Sequence, residues 1–148
     1  MGRQAVAAAA AALLLAGCQF GSDEGGAEFI KQADSICVQY EQQIALIPQP
    51  RTLLRDFAVY MRRTVPIARQ QNAELRRLEP PEDDADEFRR MLDLLDEQLR
   101  IAAQAGELAY QGNDQAAQAA LQESLVPAGE ASRLAEEIGF FSCARATG

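Results

Sequence analysis

Residues 82–109 read EDDADEFRRMLDLLDEQLRIAAQAGELA, and this stretch decides the fold. Phe88, Leu92, Leu95, Leu99, Ala102 and Ala109 share one face at helical spacing, with charged residues opposite. The segment opens with Glu82, Asp83, Asp84, Asp86 and Glu87, where negative charge meets the positive end of a helix dipole. Gly112 predicts its stop, and Asn113 or Asp114 the N-cap of the next helix.

The same period extends to both sides. Upstream, Ile30, Ala33, Cys37, Tyr40, Ile44 and Ile47 alternate steps of three and four until Pro48 and Pro50 end the segment. A second segment runs from about Thr52 to Glu79, with Leu54, Phe57, Met61, Ala68, Leu75 and Leu78 on its stripe and Thr64 and Gln71 interrupting it. Pro66 removes a hydrogen bond to the carbonyl of Arg62 and predicts a kink. Pro80-Pro81 closes this segment and opens the next. Downstream, Ala117, Leu121, Leu125, Ala128, Ala131, Ala135 and Ile138 form a fourth stripe, bent at Pro127 and Gly129 and ended by Gly139, from which Phe140 and Phe141 lead to Cys143. No segment alternates like a strand. The expected fold is all-α: an antiparallel up-down-up-down four-helix bundle over residues 27–148, with helices 2 and 4 kinked.

The N-terminus has a different character. Arg3 precedes an apolar run from Ala5 to Leu15, too short to span a bilayer, which takes about 20 apolar residues. Leu15-Ala16-Gly17 then leads directly into Cys18, which resembles the signal of a bacterial lipoprotein. The resemblance implies a signal peptide at 1–17, cleavage before Cys18, a diacylglyceryl thioether on its sulfur and N-acylation, with palmitate the expected chain. Several acyl chains together anchor a protein stably. Residues 18–26 read as a lipidated, polar, glycine-rich tether of at most roughly 30 Å. The expected location is the outer face of the cytoplasmic membrane.

Cysteine and charge narrow the class. With Cys18 assigned to lipid, Cys37 and Cys143 are an even pair in an oxidising compartment, so a disulfide is expected. A redox-active or metal-binding pair is the rival reading, and the absence of CxxC and of histidine weighs against it. The chain carries 14 basic and 22 acidic side chains, and loss of Arg3 with the signal peptide leaves a net charge of −9. So acidic a domain is a poor match for nucleic acid, and anionic headgroups would repel it, which leaves the lipid as the anchor.

Without histidine there is no Ser-His-Asp or Cys-His constellation, no Glu-x-x-His pair for a di-iron bundle and no CxxCH for haem. No catalytic residue, metal or cofactor is expected. Met61 and Met91 fall on or beside apolar stripes and suit core filling. Glu82–Glu87 lacks the spacing of a calcium loop. Arg55, Arg62, Arg69 and Arg76 recur every seven residues and drift only about 20° per step, so they stay on one side of the second helix. They form a candidate stripe for an anionic partner. The plainer reading is a solvated flank paired with the acidic third helix. Pro66 and Pro127 could open an apolar cavity if their kinks faced each other.

The pattern Phe29-Ile30-x-x-Ala33-Asp34-x-Ile36-Cys37, the Leu78-x-Pro80-Pro81 hinge, the Gly112-Asn113-Asp114 turn and the terminal Cys143 together resemble a family of small lipoproteins of high-GC Gram-positive bacteria. The turn departs from that pattern by the Asn between Gly and Asp. The resemblance implies the same address, helical fold and Cys37–Cys143 disulfide, and no activity. The function expected from the sequence is therefore a membrane-anchored binding or interaction module with an envelope protein or polymer as partner. The alternative is a carrier or sensor of a small apolar ligand held between helices.

Overall fold

The computed structural model describes residues 22–51 and 55–146, so the expected signal peptide, Cys18 and Leu54 lie outside the described residues. It is all-helical, with four long helices packed against one another: α1 (Ser22–Ala45), α2 (Arg55–Leu75), α3 (Ala85–Tyr110) and α4 (Asp114–Ile138). A 3-10 turn at Glu82–Asp84 precedes α3, and a short α5 (Phe141–Ala146) follows α4. The α3–α4 and α2–α3 pairs make the broadest contacts, and α5 is wedged between α1 and α4.

Helix boundaries follow backbone chemistry. α1 begins at Ser22, inside the stretch expected to be a tether. Gly25, Ala27 and Glu28 there are exposed, yet a nucleated helix gains one backbone bond for each residue added. α2 ends at Leu75, short of the expected Glu79. Arg77 and Leu78 donate instead to the carbonyls three residues back, at 3.0 Å each, and Pro80 disfavours helical geometry in the residue before it. The helix ends at 110 and 138 are closed alike. Gly112 (φ 77°) and Gly139 (φ 98°) take the left-handed conformation. Asn113 and Phe140 then donate to the carbonyls of Leu108 (2.9 Å) and Ala135 (2.7 Å), satisfying the last turns. Asn113 occupies the N-cap position of α4, without a side-chain cap bond.

The main core gathers Phe29, Ala33 and Cys37 of α1, Leu75 of α2, Phe88, Met91 and Leu92 of α3, Ala131, Leu134, Ala135 and Ile138 of α4, and Phe140 and Cys143. The rings of Phe29, Phe88 and Phe140 lie 5.0–5.8 Å apart, two of the three pairs edge to face. Away from this end the helices meet through alanine: Ala58, Ala109 and Ala117 in one cluster, Ile101, Ala105 and Ala120 in another. Gly106 lets α2 approach closely, since a Cβ there would lie 2.7 Å from the Cβ of Met61.

Leu125 does not lie on the buried stripe of α4: it is 61% exposed, and Ala120 and Ser124 are buried instead. Two steps of four, from Ala117 through Leu121 to Leu125, rotate about 80° away from the starting face, whereas Ser124 falls within about 20° of it.

Cys37 and Cys143 form a disulfide across a sequence separation of 106, joining α1 to α5. The tail is held by more than the bridge. Asp34 Oδ1 accepts hydrogen bonds from the backbone N–H of Ser142 (2.8 Å) and Cys143 (3.4 Å) at the start of α5. Ser132 Oγ donates to the carbonyl of Ala144 at 2.8 Å.

Candidate ligand cleft

The bridge that docks α5 also forms one wall of a cleft. Cys37, Glu41 and Ile44 follow one another at steps of four and three along α1 and face it from one side. Ala68, Gln71, Asn72 and Leu75 of α2 and Leu95, Gln98 and Leu99 of α3 line the others, and Cys143 and Arg145 close the α5 end. The volume is about 250 Å³. Leu95 and Leu99 are only half-buried because the stripe that carries them turns here from the core toward the cleft.

Asn72 is the unusual wall residue. It is 2% exposed. Its Nδ2 donates to the backbone carbonyl of Leu92 at 3.0 Å and to Asp96 Oδ1. Its Oδ1 is buried and accepts no hydrogen bond from any described residue. An unsatisfied buried carbonyl costs about 1–3 kcal/mol. Asp96 is shared: its other oxygen takes Arg76 Nη2 at 2.7 Å, and Arg76 also reaches Asp93 at 2.8 Å. The hydrogen bond to Asp93, with that to Asp96, raises the Arg76 pKa against a smaller opposing effect of burial. On the other side of Gln71, which donates to Cys37 Sγ at 3.1 Å, the buried Tyr40 hydroxyl donates to Glu74 Oε1 at 2.6 Å. Burial, and then the hydrogen bond and charge of Glu74, push the Tyr40 pKa up to about 12.

The arginine row is divided by the structure. Arg62 pairs with Glu107 at 3.4 Å and stacks over the Tyr110 ring at 4.0 Å, and Arg76 bridges Asp93 and Asp96. Half of the row is thus engaged with α3. Arg55 and Arg69 are exposed and form no ion pair among the described residues. The two helix prolines do not share a cleft. Pro66 borders a smaller hollow of about 140 Å³ lined by α2 and α3 alone, whereas Pro127 is buried in α4. Met91 is buried in the main core, and Met61 packs on Gly106. Among the described residues no group of three or more Cys, Asp or Glu is arranged to hold a metal ion, the Glu82–Glu87 run included. No described helix is long and apolar enough to cross a membrane.

Sequence reasoning missed Asn72. A signal was present: Ala58, Val65 and Asn72 recur every seven residues, and all three are buried. Compared with family models, with curated proteins and with solved structures, the chain matches none.

Proposed function

We propose that this chain is a lipid-anchored binding module on the outer face of the cytoplasmic membrane, that it is not an enzyme, and that it holds a small apolar ligand in the cleft between α1, α2, α3 and α5. The observation that carries this reading is the cleft itself, about 250 Å³ in volume and bordered by Ile44, Leu75, Leu95 and Leu99 together with a few polar side chains. Ligand sites of this kind are mainly apolar, with a few fixed polar groups that set orientation. The non-enzymatic reading is supported by the lack of histidine and by the cleft lining, which holds one carboxylate, Glu41, rather than a paired acid and base. The anchoring is supported by Leu15-Ala16-Gly17-Cys18, four residues before the start of α1.

The scaffold in this proposal is an antiparallel up-down-up-down bundle bent at Pro66 and Pro127. Support comes from pairings that run in opposite directions, Arg62 with Glu107 and Arg76 with Asp93. Pro66 and Pro127 leave the carbonyls of Arg62 and Glu123 without their helical donors. Just before each proline a hydroxyl bonds back to the helix, Thr64 to the carbonyl of Tyr60 and Ser124 to that of Leu121, a contact that favours bending.

The test is native mass spectrometry of the full protein carried from its membrane in nanodiscs. The expected result is a lipid mass on Cys18 and a further adduct that leaves on activation. Leu99→Trp, which fills the cleft, removes the adduct and keeps the lipid. An adduct that survives Leu99→Trp, or none in the parent protein, refutes the cleft. A second reading, a macromolecular partner in the envelope, is favoured by one feature: Leu125 and Val126 are neighbours on α4, 61% and 73% exposed.

A further inference from the structure

We propose that the outer face of α2 is a docking surface for a linear polyanion that carries phosphate groups, and that Arg55, Arg63 and Arg69 hold it. This surface is separate from the cleft and stands independently of it.

Charge is distributed unevenly along the chain. Residues 42–73 hold five arginines and one carboxylate, Asp56, and so carry +4. The whole chain carries −8, which leaves −12 for the other residues. The fold turns most of the positive stretch to one surface. Arg55, Val59, Arg63, Pro66, Arg69 and Ala73 follow one another along α2 at steps of three and four, and all six are exposed. From Arg55 to Arg69 this face runs for about 21 Å. Arg51 lies beside it, bordering one hollow with Asp56, Val59, Tyr60 and Arg63.

Carboxylates outnumber basic groups in this chain, yet Arg55, Arg63 and Arg69 form no ion pair among the described residues. Arg62 and Arg76 stand at the margin toward α3 and are taken by Glu107 and by Asp93 and Asp96. Asp56 has an interaction of its own. Three guanidinium groups are thus left for a partner from outside. Each presents a planar fork of donors that matches a phosphate with two parallel hydrogen bonds.

The charge of the remaining residues decides the shape of that partner. A broad anionic surface, such as a membrane or an acidic protein, would meet the −12 borne elsewhere and be repelled. A single linear chain follows the face of α2 and leaves the acidic surface in water, where screening over about 8 Å weakens the repulsion. The six residues of the face include no aromatic ring on which bases could stack, which sets nucleic acid aside.

The experiment titrates the full chain, held in nanodiscs of neutral lipid, with linear polyphosphate by isothermal titration calorimetry. Binding is expected, and raising the salt from about 50 to about 150 mM should weaken it about tenfold, the counterion release of three neutralised phosphates. Polyglutamate, a linear polyanion without phosphate, is expected to bind more weakly. Arg55→Gln with Arg63→Gln and Arg69→Gln should weaken polyphosphate binding by about tenfold or more and flatten its salt dependence. Arg89→Gln with Arg100→Gln and Arg133→Gln changes the net charge equally, but removes arginines already paired within their own helices; it should leave binding unchanged. Equal losses in the two triple variants, or no binding by the parent protein, overturn the docking face. Equal binding of polyglutamate overturns the assignment of phosphate. The salt and polyglutamate comparisons are made on the parent protein and stand whatever the substitutions do to folding.

Discussion

Breaking the Cys37–Cys143 bridge tests how this small domain is held together. The bridge spans a sequence separation of 106. Closing so long a loop in the unfolded chain removes entropy worth about 4.8 kcal/mol at 25 °C. Domains are stable by about 5–15 kcal/mol in total, so reduction should remove a third or more of the margin. Two perturbations separate entropy from packing. Reduction keeps both sulfurs in place, while Cys37→Ala with Cys143→Ala also deletes two buried atoms from the main core. Urea unfolding followed by circular dichroism gives the free energies. Reduction should lower stability by about 3–5 kcal/mol, and the double alanine variant should lose about 1–2 kcal/mol more. Asp34 and Ser132 still tie α5 down in the reduced protein, so it should fold, with faster amide exchange at Ser142 and Cys143 than elsewhere in the core. A loss below about 1 kcal/mol on reduction would refute the argument, because it would mean that the unfolded chain is already as constrained as the bridge makes it.

Two further perturbations address the helix contacts. Gly106→Ala should destabilise by about 1–3 kcal/mol despite the better helix propensity of alanine, because the new Cβ meets the Met61 Cβ at 2.7 Å and not a side-chain end that can swing away; thermal melts of Gly106→Ala, Met61→Gly and the double variant should show the double variant above the additive value. Tyr40 should govern alkaline stability: its pKa is raised from 10.0 to about 12 by burial and by Glu74, so the folded state holds the proton more tightly, the stabilisation is complete below pH 10, and it is lost as the pH rises toward 12. Up to about 2.7 kcal/mol is at stake by linkage, and Tyr40→Phe should flatten that part of the stability-against-pH curve in urea titrations; an unchanged slope refutes the assignment.

Much of the architecture could be read from spacing because apolar residues at steps of three and four have few other uses. The stripe of α1 leads into the core through Ala33, Cys37 and Tyr40, all buried, and the cysteine on that stripe finds its partner from the core side. Reading failed where a face was assigned from apolar residues alone. Leu125 is apolar, yet the rotation per step carries it outward. Asn72 is polar, yet its spacing from Ala58 and Val65 places it inward. In both cases geometry outweighed side-chain character. The cleft was illegible for a different reason: it depends on where α5 returns, and no local period encodes a six-residue helix held by a bridge and by Asp34.

Two heptad rows on α2 explain why the cleft and the charged surface belong together. Arg55, Arg62, Arg69 and Arg76 mark one row, and Ala58, Val65 and Asn72 follow three residues behind its first three members. The drift per heptad is only about 20°, so the two rows keep their places along the helix: one at the margin, where Arg62 and Arg76 reach carboxylates of α3, the other inside. They meet at Asp96, which takes Arg76 on one oxygen and Asn72 on the other. The ion pairs with Asp93 and Asp96 are largely exposed and each worth little. Their structural role lies elsewhere. By fixing Asp96 they orient the Asn72 amide, and that orientation leaves its oxygen buried and unpartnered among the described residues. A surface row readable as a docking stripe for an anion is, at Arg76, the outer support of an interior acceptor.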